Sequence, residues 1–232
     1  MKTLSAENIL SASIDLNHPY GPIIDGALIP NNLTNLFEEG SFNNVDLMIG
    51  SNKNEDYMYI DESVTEKDIN RLIENYYPEY RDKILSWLDL EDPRLAMDYL
   101  TTNQVTLCPS VFIARSLSKN GNNVYQYHFT RMREGSEKIL SYHGAEIPYV
   151  FNTHDEWLPS NEDDTQLTEA MMEYWVEFAK KGTPNSINNP TWKEFGAEEN
   201  YLILDLPLEN SSKLENEFCE IMIDELINRS SS

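Results

Sequence analysis

Apolar residues recur along this chain in two rhythms, and the rhythms divide it into helices and strands. Ile69, Leu72, Ile73 and Tyr76 repeat at helical spacing across Thr65 to Tyr77, just ahead of Pro78. Ile84, Leu85 and Leu88 predict a second helix over Tyr80 to Leu88. Asp92-Pro93 reads as a helix start, with Asp92 as the cap and Pro93 in the first position. From there Leu95, Tyr99, Val105, Phe112 and Leu117 predict two helices broken near Cys108-Pro109. Leu167, Met171, Trp175, Phe178 and Ala179 predict a long helix that Gly182 ends as a C-cap. Leu214, Phe218, Ile221, Met222 and Leu226 predict a closing amphipathic helix, with Ser212 and Glu215 in capping-box spacing before it. A short helix is expected over Met1 to Leu10.

Three short runs keep a different rhythm. Val45 to Gly50 is mostly apolar and ends in glycine, as a buried strand does. Asn122 to Thr130 carries Val124, Tyr125, Tyr127 and Phe129, and Tyr201 to Leu206 is the last strand-like run. Gly21-Pro22 and Asp25-Gly26 are turn signals around a short apolar segment within Tyr20 to Pro30. Strands separated by helices predict an α/β fold, with the helices between Thr65 and Leu117 packed over the sheet. No repeat or linker divides the chain, so residues 1–229 are expected to be one domain and 230–232 a tail.

Charge narrows the partners. The chain has 232 residues and a net charge of -23, from 40 acids against 17 bases. Nucleic acid is not expected as a partner and anionic membrane surfaces are poor ones, because both need clustered Lys and Arg. No apolar run is long enough to span a bilayer, and the first thirteen residues lack the apolar core of a signal peptide. The two cysteines, Cys108 and Cys219, have no metal-type spacing and are either free core thiols or one long-range bridge. N-x-S/T sequons stand at Asn32, Asn210 and Asn228. His18, before a proline, and His128, on a predicted strand, read as structural or surface residues. So does His154, because Asp155 and Glu156 beside one histidine do not make a metal site. Neither a metal nor a cofactor is expected.

Several segments together point further. Ser141 to Phe151 places His143 and Gly144 just before a short apolar run containing Glu146. It resembles the histidine segment of the type-B carboxylesterases, the family of the cholinesterases and several lipases. P-I-I-D-G-A-L-I-P, starting at Pro22, resembles that family's P-V-V-D-G-x-x-L-P. Gly50 to Asp56 is similar to its G-x-x-x-D-E-G, with Glu55 on the glutamate, while Asn54 and Asp56 depart from the usual Asp and Gly. Tyr174 to Asn185 resembles Y-W-x-x-F-A-x-x-G-x-P-N, followed by Trp192 and Phe195 at the family's usual place. The resemblance runs from about Ile23 to Leu226, most of this chain but only the later half of a typical member.

The resemblance implies the C-terminal portion of an α/β-hydrolase fold, a few sheet strands with many covering helices. It implies a Ser-Glu-His triad in which Glu55 orients His143 and His143 is the general base. It also implies a Cys108–Cys219 disulfide, since Cys108-Pro109 and Phe218-Cys219 fall where the cholinesterases keep a pair. A bridge and the sequons together suggest a secreted or extracytoplasmic parent protein. The nucleophile is absent: a G-x-S-x-G elbow needs two glycines four apart, and no two of the nine glycines have that spacing. No HGGG-type run supplies an oxyanion hole either. Three readings follow. The chain is a serine esterase fragment, inactive alone, that acts on an ester with the missing N-terminal half as partner; or a non-catalytic cholinesterase-like interaction module; or a non-functional truncated product.

Overall fold

The computed structural model describes residues 3–16 and 21–230. Met1 and Lys2 of the first predicted helix, His18 and its turn, Tyr20 and the last two tail residues lie outside them. The chain forms two compact units, Met1–Leu33 and Thr34–Ser232.

In the first unit, α1 (Ala6–Leu16) starts later than the expected Met1 to Leu10 and runs further. Ser5 explains the shift: its hydroxyl accepts the Asn8 N–H at 3.3 Å and its carbonyl accepts the Ile9 N–H at 3.2 Å, which starts the helix at Ala6. The Asp25-Gly26 signal is a true turn. Asp25 Oδ1 accepts the amides of Ala27, Leu28 and Ile29 at 2.9, 2.8 and 3.0 Å, and Gly26 takes φ +73°. Those amides hold the Asp25 carboxyl below its ordinary range.

The second unit is a four-stranded sheet between helical layers. Its strands are β1 (Leu47–Asn52), β2 (Val124–Phe129), β3 (Asn200–Leu204) and β4 (Glu209–Ser212), in that spatial order. The first three are parallel and β4 returns antiparallel to β3. Alternation sorts the side chains between two faces. Tyr125, Phe129, Leu202 and Leu204 join one core with Tyr149, Leu167, Met171, Tyr174 and Trp192. Val124, Leu47 and Ile49 pack the other way, against Ala114 and Leu117. Gly50 lies opposite Tyr127 in the β1–β2 register, and a Cβ built on it would fall 2.4 Å from both the Tyr127 ring and the Tyr127 carbonyl oxygen. Only glycine lets these two backbones and the ring meet.

The first face is covered by α7 (Ile147–Phe151) and α8 (Glu162–Lys181), which Gly182 ends at φ +72°. The second is covered by α3 (Glu66–Tyr76), α4 (Arg81–Leu85), α5 (Pro93–Thr102) and α6 (Cys108–Lys119), with Phe37 of the short α2 (Leu33–Glu38) and α9 (Asn216–Ser230) against them. Where a break was expected near Cys108-Pro109, α5 and α6 are joined by a π-helical turn over Asn103–Leu107. The Cys108 N–H reaches back five residues to the Asn103 carbonyl, so the rod widens without breaking. A disulfide joins Cys108 to Cys219 across 111 positions and ties α6 to α9. The capping box predicted at Ser212 and Glu215 is not formed: Ser212 ends β4, and the Glu215 carboxylate accepts the Tyr99 hydroxyl instead. Strand β4, Glu-Asn-Ser-Ser, has no apolar rhythm and was not expected; it forms because the chain after β3 folds back along it.

Candidate active site

Two loops leave the carboxyl ends of neighbouring parallel strands, the usual place for functional groups in such a sheet. The first follows β1 and carries Glu55; the second follows β2 and carries His143. Backbone bonds hold them together at the root. Lys53 N–H donates to the Phe129 carbonyl at 2.9 Å and Asn54 N–H to the Ser141 carbonyl at 3.1 Å. Ser141, fully buried, returns its hydroxyl to the same Phe129 carbonyl at 2.9 Å.

Glu55 Oε2 then lies 2.7 Å from His143 Nδ1. The other carboxylate oxygen accepts the Asn52 backbone N–H at 2.7 Å. The two partners differ in environment: the Glu55 side chain is 7% exposed and that of His143 is 65% exposed. Burial pushes the Glu55 carboxyl up, while the Asn52 amide and His143 pull it back and Glu146 adds to the rise. The Glu55 hydrogen bond raises the His143 imidazole against the smaller opposing effect of desolvation, and Glu146 and Asp56 raise it further. An ionised Glu55 can only accept, so the Nδ1 proton sits between the pair and Nε2 is left as the acceptor.

Residues that the sequence did not single out complete the frame. The Asn52 side chain donates to the Tyr142 carbonyl at 2.8 Å and to the Glu146 carboxylate, residues on either side of His143. The departures at Asn54 and Asp56 also have partners. Asn54 Nδ2 donates to Asp98 Oδ2 at 2.8 Å, and the Asp56 N–H donates to Asp98 Oδ1 at 3.1 Å. An aspartate at 54 would set two carboxylates face to face. These links join residues far apart in the chain, and no local motif announces them.

The other histidines described serve packing. His128 is half-buried, with Ser51 Oγ 3.5 Å from Nδ1 and its ring edge-on to Tyr201; desolvation, with Lys53 nearby, pushes its imidazole down to about 4. His154 Nε2 meets Thr168 Oγ1 at 2.8 Å, and its ring stands edge-on to Tyr149. Among the described residues, no three His, Cys, Asp or Glu are grouped to hold a metal ion, and no helix is long and apolar enough to cross a membrane.

The Carboxylesterase family profile matches residues 1–222. Neuroligin-3 of Homo sapiens is 30% identical over 198 residues, covering 72% of this chain and 23% of that protein. Carboxylesterase 1D of Mus musculus is 27% identical over 228 residues, covering 86% of this chain and 40% of that protein. The chain therefore spans well under half the length of these relatives. Among solved structures, a PNB esterase superposes with a TM-score of 0.77 at 21% identity over 95% of this chain and 49% of its own. Aspergillus niger EstA gives 0.76 at 20% identity, over 90% and 45%. These esterases share the α/β-hydrolase fold with the chain. The matched profile covers nearly all of the sequence, and this chain belongs to the carboxylesterase family.

Proposed function

We propose that Glu55 and His143 are the acid and the base of a Ser-Glu-His triad for carboxylic ester hydrolysis, with the nucleophile supplied from outside these 232 residues. The observation that carries this reading is the 2.7 Å contact between a buried, backbone-anchored carboxylate and an exposed imidazole. Glu55 fixes the tautomer and orientation of the ring and stabilises the imidazolium. Nε2 takes the proton from the serine hydroxyl as its oxygen attacks the ester carbonyl, and later returns it to the leaving alcohol. The oxyanion donors come with the serine, and one such donor is worth roughly 10²–10³ in rate. The partner is therefore the N-terminal half of a carboxylesterase domain, and the substrate is an ester. The Cys108–Cys219 disulfide supports an oxidising, extracytoplasmic compartment for the assembled protein.

The test is hydrolysis of a short-chain p-nitrophenyl ester by the chain alone, and by the chain joined to the N-terminal half of a carboxylesterase. The chain alone is expected to give no saturable turnover; the joined protein is expected to turn over and to lose activity on His143→Ala. Turnover by the chain alone that His143→Ala abolishes would overturn the reading. A second reading, the non-catalytic interaction module, is favoured by the likeness to neuroligin-3, whose name carries no esterase activity. A correctly assembled joined protein without turnover would select it.

A further inference from the structure

We propose that Asp98 is a positioning residue that sets the Glu55–His143 pair, by clamping the acid-bearing loop on both sides of Glu55. This rests on the reading of Glu55 and His143 as an acid–base pair.

Asp98 sits on α5, far in sequence from either loop, and is 1% exposed. No cation lies within ion-pair distance of it among the described residues. A buried carboxylate without a counter-ion is costly unless hydrogen bonds to its charged form offset the lost hydration. Here every bond it accepts from outside its own helix comes from the Glu55 loop. Oδ2 takes the side-chain amide of Asn54, the residue before Glu55, at 2.8 Å. Oδ1 takes the backbone N–H of Asp56, the residue after it, at 3.1 Å, and also the Thr102 hydroxyl at 3.0 Å. Burial raises the Asp98 carboxyl, and these donors pull it back down.

The geometry fixes what the clamp does. Glu55 has its own anchor at one oxygen, the Asn52 amide. That bond and the Lys53 and Asn54 amides fix the loop ahead of Glu55, but a rotation of the chain after residue 54 would still move Oε2 away from Nδ1. Holding residues 54 and 56 to one rigid helix removes that freedom. The cost of a misplaced base partner is large, because geometry at the ångström level governs proton transfer. Asp98 touches neither His143 nor the reacting atoms, so its role is to position and not to react.

The readout is the protonation midpoint of His143 itself, which needs no nucleophile. Diethyl pyrocarbonate acylates only neutral imidazole. The pH dependence of labelling at His143, followed by peptide mass spectrometry on the 232-residue chain, therefore gives that midpoint. Glu55→Gln is the reference and is expected to lower the midpoint. Asp98→Ala is expected to lower it in the same direction, and Asn54→Ala, which removes one leg of the clamp without touching α5, by less. Asp98→Asn keeps an acceptor for the Asp56 N–H and an amide that can pair with a turned Asn54, and is expected to stay near the parent midpoint. If Asp98→Ala and Asn54→Ala keep the parent value while Glu55→Gln lowers it, the clamp is wrong. If Asp98→Asn falls as far as Asp98→Ala, charge and not clamping is at work, and the proposal also fails. If Glu55→Gln leaves the midpoint unchanged, the pair reading is what fails.

Discussion

At the residue scale, the Glu55–His143 pair has a definite pH signature. The Glu55 hydrogen bond holds the folded-state midpoint of His143 above its ordinary value of about 6.5. The raised midpoint means that the folded chain binds this proton more tightly than the unfolded one. The pair's contribution to stability is thus fully present below about pH 6.5 and is lost as pH rises through the raised midpoint. Activity runs the other way, because the base works only when neutral. In a joined, serine-bearing protein the acid limb of kcat/KM is expected above pH 6.5 and should move down in Glu55→Gln. Turnover there should also drop by roughly 10²–10⁴. A pH–rate profile with an unmoved acid limb would separate Glu55 from the base.

Gly50 makes a second prediction at this scale. Its Cβ would meet the Tyr127 carbonyl oxygen, a backbone atom that cannot turn aside. Gly50→Val is expected to cost about 1–3 kcal/mol in urea unfolding and to disturb the loop that begins three residues later. A variant as stable as the parent would show that β1 and β2 have room to separate.

At the element scale, the disulfide is the strongest single tie in the second unit. It closes 111 positions and joins α6 to α9, so the last helix is held to the block over the sheet. The chain-entropy account gives about 4.7 kcal/mol for a loop of roughly 100 residues, and removal of native bridges typically costs about 2–5 kcal/mol. Cys219→Ser is expected to lower the urea midpoint accordingly, and a reducing agent should have the same effect on the parent. The elements themselves were legible where their rhythm is strong. The helix around Ile69 and Ile73, the long helix ending at Gly182 and the three parallel strands all lie close to their expected places. Legibility failed where tertiary contacts decide. Strand β4 is polar and exists because β3 offers it an edge. Glu215 left its capping box for a hydroxyl on α5. The two proposed site residues could be singled out because each lies in a short, distinctive segment. Asn52 and Asp98 were not, since their partners lie 94 and 44 positions away.

At the scale of the whole molecule, the sheet carries the candidate site and leaves one strand edge open among the described residues. Strand β1 pairs with β2 on one side, and among the described residues no strand pairs with its outer edge. An unpaired parallel edge offers a row of free backbone donors and acceptors. As a free 232-residue chain the protein is expected to self-associate in sedimentation and to bind a hydrophobic-surface dye. It should lose both properties when joined to an N-terminal half. A monodisperse monomer with no dye binding would argue that the edge is already satisfied.

The claim on which all of this turns is that Glu55 and His143 act as one coupled pair. The most direct test is the His143 protonation midpoint, read from the pH dependence of its acylation in the parent chain and in Glu55→Gln. The account predicts a parent midpoint above 6.5 that falls when the carboxylate is removed. Equal midpoints in the two proteins would contradict it.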